Sequence, residues 1–190
     1  MNRWLRRFTV VPALALLATG CGYNTMQSLD EQVNSAESQI KVQLQRRADL
    51  IPNLVETVRG FARQESTIFI AVAEARSRLA GAVQGGNLEE MAAANAALTA
   101  PLGRLLAIAE AYPQLRSNEN FRALQDQLEG TENRIAVARQ DYNETVNRYN
   151  AYIRRFPQVV TAKVIGMKAR PYFELRDRDA ERPPSVDFSR

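Results

Sequence analysis

Residues 120–157 place Phe121, Leu124, Leu128, Ile135, Ala138, Tyr142, Val146, Tyr149, Ile153 and Phe156 at intervals of three, four or seven. That spacing keeps all ten on one face of a helix and scatters them in any other regular structure. At 1.5 Å per residue the stretch is a rod about 55 Å long, so the chain must supply other long helices to cover it. Beside this apolar seam runs a second line, Glu132, Arg139, Asn143 and Asn150, spaced seven, four and seven apart. At 100° per residue these four fall within about 40° of one another and only about 70° from the centre of the seam. They are therefore expected to be half-buried, and they are the first candidates for a site.

The residue inventory removes most catalytic chemistry. The 190 residues include no histidine and a single cysteine, Cys21. Ser-His-Asp and Cys-His pairs, His-containing zinc sites and the Glu-x-x-His di-iron signature of ferritin-like bundles are thereby excluded, and so is an intramolecular disulfide. The net charge of +4 counts Arg3, Arg6 and Arg7 of the N-terminal segment; without these three, 22 basic residues face 21 acidic ones. So even a balance gives no electrostatic reason to expect a nucleic-acid partner. Gly-rich phosphate loops, His-Glu-x-x-His, EF-hand and Cys-x-x-Cys patterns are absent, which leaves no cofactor to expect.

The N-terminus reads as a targeting segment. Met1–Arg7 is positively charged, Phe8–Ala18 is apolar and contains Pro12, and Thr19-Gly20-Cys21 follows. This eleven-residue run falls short of the roughly 20 of an ordinary membrane span. Leu17-Ala18-Thr19-Gly20-Cys21 is similar to a bacterial lipobox, with Ala18 where leucine is usual, so Cys21 is the expected lipidation site; an uncleaved short anchor is the alternative. Residues 1–20 are then the signal peptide, 21–25 a linker at the anchor, 26–168 the helical domain and 169–190 an extended or disordered tail.

Met26, Leu29, Val33, Ala36, Ile40, Leu44, Ala48, Ile51, Val55, Val58 and Ala62 continue the helical period, which resumes from Ile68 through Val83. Pro52 lies inside that run and predicts a bend near Ala48, because proline lacks the N–H that would bond the carbonyl four residues back. Gly60 and Gln64-Glu65 mark a second weak point, and Gly85-Gly86-Asn87 a stop followed by a cap. The alanine-rich run Leu88–Leu98 is expected to end at Thr99-Ala100-Pro101, with Pro101 starting the next helix, which stops at Tyr112-Pro113. A short helix is expected after Pro157, a strand being the alternative for its Val/Ile content. The pattern predicts an all-α, elongated antiparallel bundle of four main up-and-down helices behind an N-terminal membrane anchor.

Charged residues beside an apolar seam are tolerated when an opposite charge from another helix meets them. Arg46, Arg47, Asp49, Glu65 and Arg76 on the first rod are accordingly expected to face Glu132, Arg139, Asn143 and Asn150 in one polar network that sets the register of two long helices. Two of the carboxylates acting as acid and base is the catalytic alternative. Tyr142, Asn143, Tyr149, Asn150 and Tyr152 admit a third reading, a groove for a peptide, glycan or lipid.

Several segments together resemble the LemA family: Tyr23-Asn24, Arg46-Arg47-x-Asp49-Leu50-Ile51-Pro52-Asn53-Leu54-Val55, Glu65, Arg76, Tyr112-Pro113, Asn120-Phe121-x-x-Leu124-Gln125, Thr131-Glu132-Asn133-Arg134-Ile135-x-x-Ala138-Arg139-x-x-Tyr142-Asn143, Tyr149-Asn150 and Phe156-Pro157. The resemblance spans nearly all of the chain after Cys21. It implies an all-α antiparallel bundle held at a bacterial membrane by its N-terminus and lying outside the cytoplasm, in the periplasm where there are two membranes. It supplies no catalytic residue, and the lipobox-like cysteine is a departure from the apolar anchor general in the family. The expected function is a non-catalytic scaffold or adaptor for other envelope proteins, not an enzyme, bound to the membrane through its N-terminus and free to self-associate; capture of a ligand along the Tyr/Asn line is the alternative.

Overall fold

The structure, a computed structural model, describes residues 3–173, with side-chain surroundings from Gly22 onward. The Cys21 side chain and residues 174–190 of the expected tail lie outside the described residues. Six helices and no strand are found among the described residues. They are α1 (Arg3–Arg59), α2 (Ser66–Gly85), α3 (Leu88–Ala111), α4 (Pro113–Arg116), α5 (Glu119–Ile153) and α6 (Gln158–Ile165). The described residues pack as two compact units: those from Arg3 to Gln43 with Asn133–Tyr172, and Leu44–Glu132 with Phe173.

Helix ends are set by local chemistry. Arg59 in the last turn of α1 suits the negative end of the helix dipole, and Gly60 follows. α2 stops where Gly86 takes φ 72°, a left-handed conformation that glycine adopts without steric cost, and its N–H closes on the Ala82 carbonyl. Asn87 caps α3 by accepting from the Glu89 and Glu90 amides. Asn118 does the same for α5 through the Phe121 amide, 3.0 Å away.

Three expectations are corrected. Pro101 does not start a helix; it lies inside α3, which is continuous from Leu88 to Ala111. The carbonyl it orphans is that of Ala97, an exposed residue, so water can satisfy it and the helix need not break. Phe156 does not belong to the α5 seam, because α5 ends at Ile153 and Phe156 is exposed. The expected four main helices become six with the short α4 and α6.

In the unit containing Leu44–Glu132, α2 packs along α3. By length and composition α3 is apolar enough to cross a bilayer; in the fold, Met91, Leu98, Leu102 and Leu105 form its buried line. Pro52 is accommodated without ending α1. The carbonyl it leaves without an in-helix partner is that of Ala48, and the Arg76 Nε of α2 donates to it at 3.2 Å. One guanidinium thus repairs the hydrogen-bond ladder and ties α2 to α1. Replacing Arg76 with methionine is expected to cost about 1–2 kcal/mol, the cost of leaving that carbonyl unpaired. In a Pro52→Ala background, where the helix supplies its own N–H, the same replacement should cost less than half as much, measured by urea unfolding of the four variants of the cycle.

In the unit containing Asn133–Tyr172, α1 and α5 run antiparallel. Gly22 of α1 lies by Tyr152, while Ala36 to Gln43 share an open groove of about 480 Å³ with Asn133 to Asp141. Val33, Ile40, Tyr142, Val146 and Tyr149 are buried in this unit.

Candidate functional site

The polar stripe of α5 is divided between the two units. In the unit containing Leu44–Glu132, Glu132 forms an ion pair with Arg47 of α1, whose side chain is only 5% exposed while that of Glu132 is 52% exposed. Arg47 Nη1 also donates to Asn95 Oδ1 of α3 at 2.7 Å. Burial lowers the Arg47 pKa and the Glu132 charge partly offsets the shift; an arginine keeps its proton regardless. The result joins α1, α3 and α5 at one buried cation. Asn95 escaped the sequence reading, although a signal existed: Met91, Asn95, Leu98, Leu102 and Leu105 are spaced by four and three, which puts an amide on the apolar seam of an alanine-rich helix.

The other residues expected around this pair are elsewhere. Arg76 serves the Ala48 carbonyl. Arg46 and Asp49 are exposed, and Asp49 accepts from Gln45 of its own helix at 2.8 Å. Glu65 is the residue before α2, where its carbonyl accepts from the Ile68 and Phe69 amides.

In the second unit the stripe meets main chain. Asn150, 4% exposed, donates through Nδ2 to the Arg170 carbonyl and accepts at Oδ1 from the Arg170 N–H, both at 2.9 Å. Tyr149 donates to the Lys168 carbonyl at 3.0 Å and Tyr142 to the Pro171 carbonyl at 2.9 Å. The Arg170 side chain then reaches α1, with Nε and Nη2 on Asp30 Oδ1 and Nη2 on Asn34 Oδ1, each at 2.9–3.0 Å. Residues 168–171 therefore form a strap that fastens α5 to α1. Arg139 and Asn143 are half-buried, and both are engaged by neighbours. The Tyr/Asn line is covered, by the strap rather than by a helix, and the open groove in this unit is lined by other residues.

Burial pushes the Tyr142 hydroxyl up to about 12, with the Glu37 charge adding to the shift and Arg170 opposing it. Tyr149 moves in the same direction, by burial and then by Asp30, again opposed by Arg170. Burial alone lowers the Arg170 pKa, but the hydrogen bond and charge of Asp30, with Tyr149 and Glu37, outweigh it and the net shift is upward. A tyrosine whose folded pKa lies above its unfolded value contributes stability that is complete below the unfolded pKa, about 10, and lost as pH rises through the folded one. Stability should accordingly fall between about pH 10 and pH 12. In a 295 nm titration, Tyr142→Phe should remove the component near 12, leave the raised Tyr149, and make that decline shallower.

These contacts are ties between helices. Among the described residues no three His, Cys, Asp or Glu side chains gather where a metal ion could be held, and the carboxylate of Glu132 faces a guanidinium.

Comparison with known proteins gives a consistent family. The LemA family model matches residues 36–188. Magnetosome proteins MamQ 1 and MamQ 2 of Paramagnetospirillum magneticum are each 28% identical to the chain over 190 aligned positions, covering 87% of it and 70% of theirs. Magnetosome protein MamQ of Magnetospirillum gryphiswaldense is 27% identical over 174 positions, covering 80% of this chain and 64% of its own.

Proposed function

Because the chain belongs to the LemA family, we propose that it is a membrane-tethered helical scaffold or adaptor for other proteins of the bacterial envelope, with no catalysis of its own. The observation that carries this reading is the use of the polar stripe. Glu132 holds a buried arginine and Asn150 holds a strap, so the residues best placed for chemistry are spent on joining helices. In this reading the helices form an up-and-down antiparallel bundle on the extracytoplasmic side, held to the bilayer by the apolar N-terminal run or by lipid on Cys21. The relatives' designation names a cellular body rather than a reaction, which supports a structural role over turnover.

Two experiments test it. The full chain should turn over no peptide, phosphoester or glycan substrate; turnover abolished by Glu132→Gln would overturn the reading. Cys21→Ser should release the protein from the membrane fraction, whereas full retention would assign anchoring to the apolar run alone.

A further inference from the structure

We propose that α6 and the corner before it form a docking surface for an anionic lipid bilayer, beside the point where the N-terminal run enters the membrane. The inference rests on the tether proposed above and adds a second contact made by the folded domain itself.

The first observation is an apolar face turned outward. Phe156 at the corner is 83% exposed, and Val164 and Val160 of α6 are 81% and 51% exposed. Val160 and Val164 are four residues apart, so they lie within about 40° of each other on the helix and roughly 160° from Ala162. Ala162 is the buried residue of α6. An eight-residue helix thus gives its smallest apolar side chain to the interior and turns the larger Val160 and Val164 to solvent, the reverse of what core packing selects.

The second is charge. Residues 145–173 contain Arg148, Arg154, Arg155, Lys163, Lys168 and Arg170 and no acidic residue. Arg148 and Arg170 are paired with Glu144 and Asp30. Arg154, Arg155, Lys163 and Lys168 are exposed close in sequence to Phe156, Val160 and Val164. Apolar side chains rimmed by Lys and Arg suit a surface with an acyl layer beneath anionic headgroups, where long cationic side chains snorkel outward.

The third is position. Gln158 begins α6, and its Cγ lies 3.3 Å from where a Cβ on Gly22 would stand; the Tyr152 hydroxyl is 3.7 Å from the same point. Gly22 belongs to α1, which reaches back as one helix to Arg3 and includes the apolar run 8–18. The four helical steps from Ala18 to Gly22 rise about 6 Å. The polar layer on each side of a bilayer is about 5–7 Å thick. A chain tethered by this run, or by lipid at the neighbouring Cys21, therefore holds α6 at headgroup depth. That proximity selects a lipid surface over a protein as occupant.

The test uses the full chain reconstituted into vesicles of phosphatidylcholine and phosphatidylglycerol with brominated acyl chains. Trp4 is the sole tryptophan, so W4F gives a silent background for V164W and for V137W, a control at an exposed position of α5 in the same unit. Flotation with the vesicles reads the tether and bromine quenching reads the docking. The expected result is flotation of both, with V164W losing more than about half its emission and V137W less than about a tenth. Flotation with V164W unquenched overturns the docking surface and leaves the tether standing; protection of that same tryptophan from aqueous acrylamide would assign the face to a protein or a second copy. Failure to float overturns both.

Discussion

Asn150→Leu is expected to lower the unfolding free energy by about 3 kcal/mol. Leucine keeps the branched outline of asparagine but its two methyl groups are bulkier, so some overpacking at this buried position adds to the loss of hydrogen bonding. Two bonds go at once, to the N–H and the carbonyl of Arg170. A buried main-chain group left without a partner costs about 1–3 kcal/mol, and the half-buried strap can recover part of that from water. Tyr149→Phe removes one bond, to the Lys168 carbonyl, and should cost about 1 kcal/mol. Equilibrium urea unfolding reads both, and an Asn150→Leu loss below about 0.5 kcal/mol would mean that the strap contributes nothing to stability.

Glu132→Ala is expected to cost about 2 kcal/mol. Removing one partner of a fully buried ion pair costs about 3–5 kcal/mol, because the remaining charge is stranded. Here Arg47 is buried but Glu132 is half exposed, so water screens the pair and can approach the vacated side. Asn95 still accepts from Arg47 Nη1. The loss should therefore fall below the fully buried range yet above that of a surface bridge. Arg47→Met combined with Glu132→Ala should be less destabilising than the sum of the single replacements by about 1–2 kcal/mol, since the double variant strands no charge. Additive losses would show that the two side chains act independently.

Much of the fold is legible in the spacing of apolar residues. Phe121, Leu128, Ile135, Ala138, Tyr142, Val146, Tyr149 and Ile153 are all buried on α5, and the first rod buries Met26, Val33, Ile40, Leu44, Ala48, Ile51, Val55 and Val58 with the same period. Caps at Asn87 and Asn118 and the stop at Gly86 are equally local and equally readable. Phe156 marks where periodicity misleads. It continues the seam arithmetically, but the helix has already ended, and nothing in a three-four pattern records that.

The candidate site is legible in its members and not in its pairings. The stripe position of Glu132 and the seam position of Arg47 follow from helical geometry, whereas the choice of Arg47 over Arg46 depends on a 100° rotation of a helix whose partner face is unknown beforehand. The stripe position of Asn150 points to the first rod, whereas its partner is the main chain of Arg170. Every residue offers an N–H and a carbonyl, so a side chain that binds main chain leaves no complementary letter in the sequence. Arg76 is a middle case: Pro52 announces an orphaned carbonyl at Ala48, and only the structure shows which donor answers it.

The proposed adaptor role requires the chain to hold other envelope proteins while its polar stripe holds the chain itself. It is tested most directly by photo-crosslinking the full protein in its native membrane, in the wild type and in Glu132→Gln, and identifying the adducts. Discrete crosslinks to the same envelope proteins are expected in both. A wild-type chain that forms no adduct with any envelope protein would contradict it.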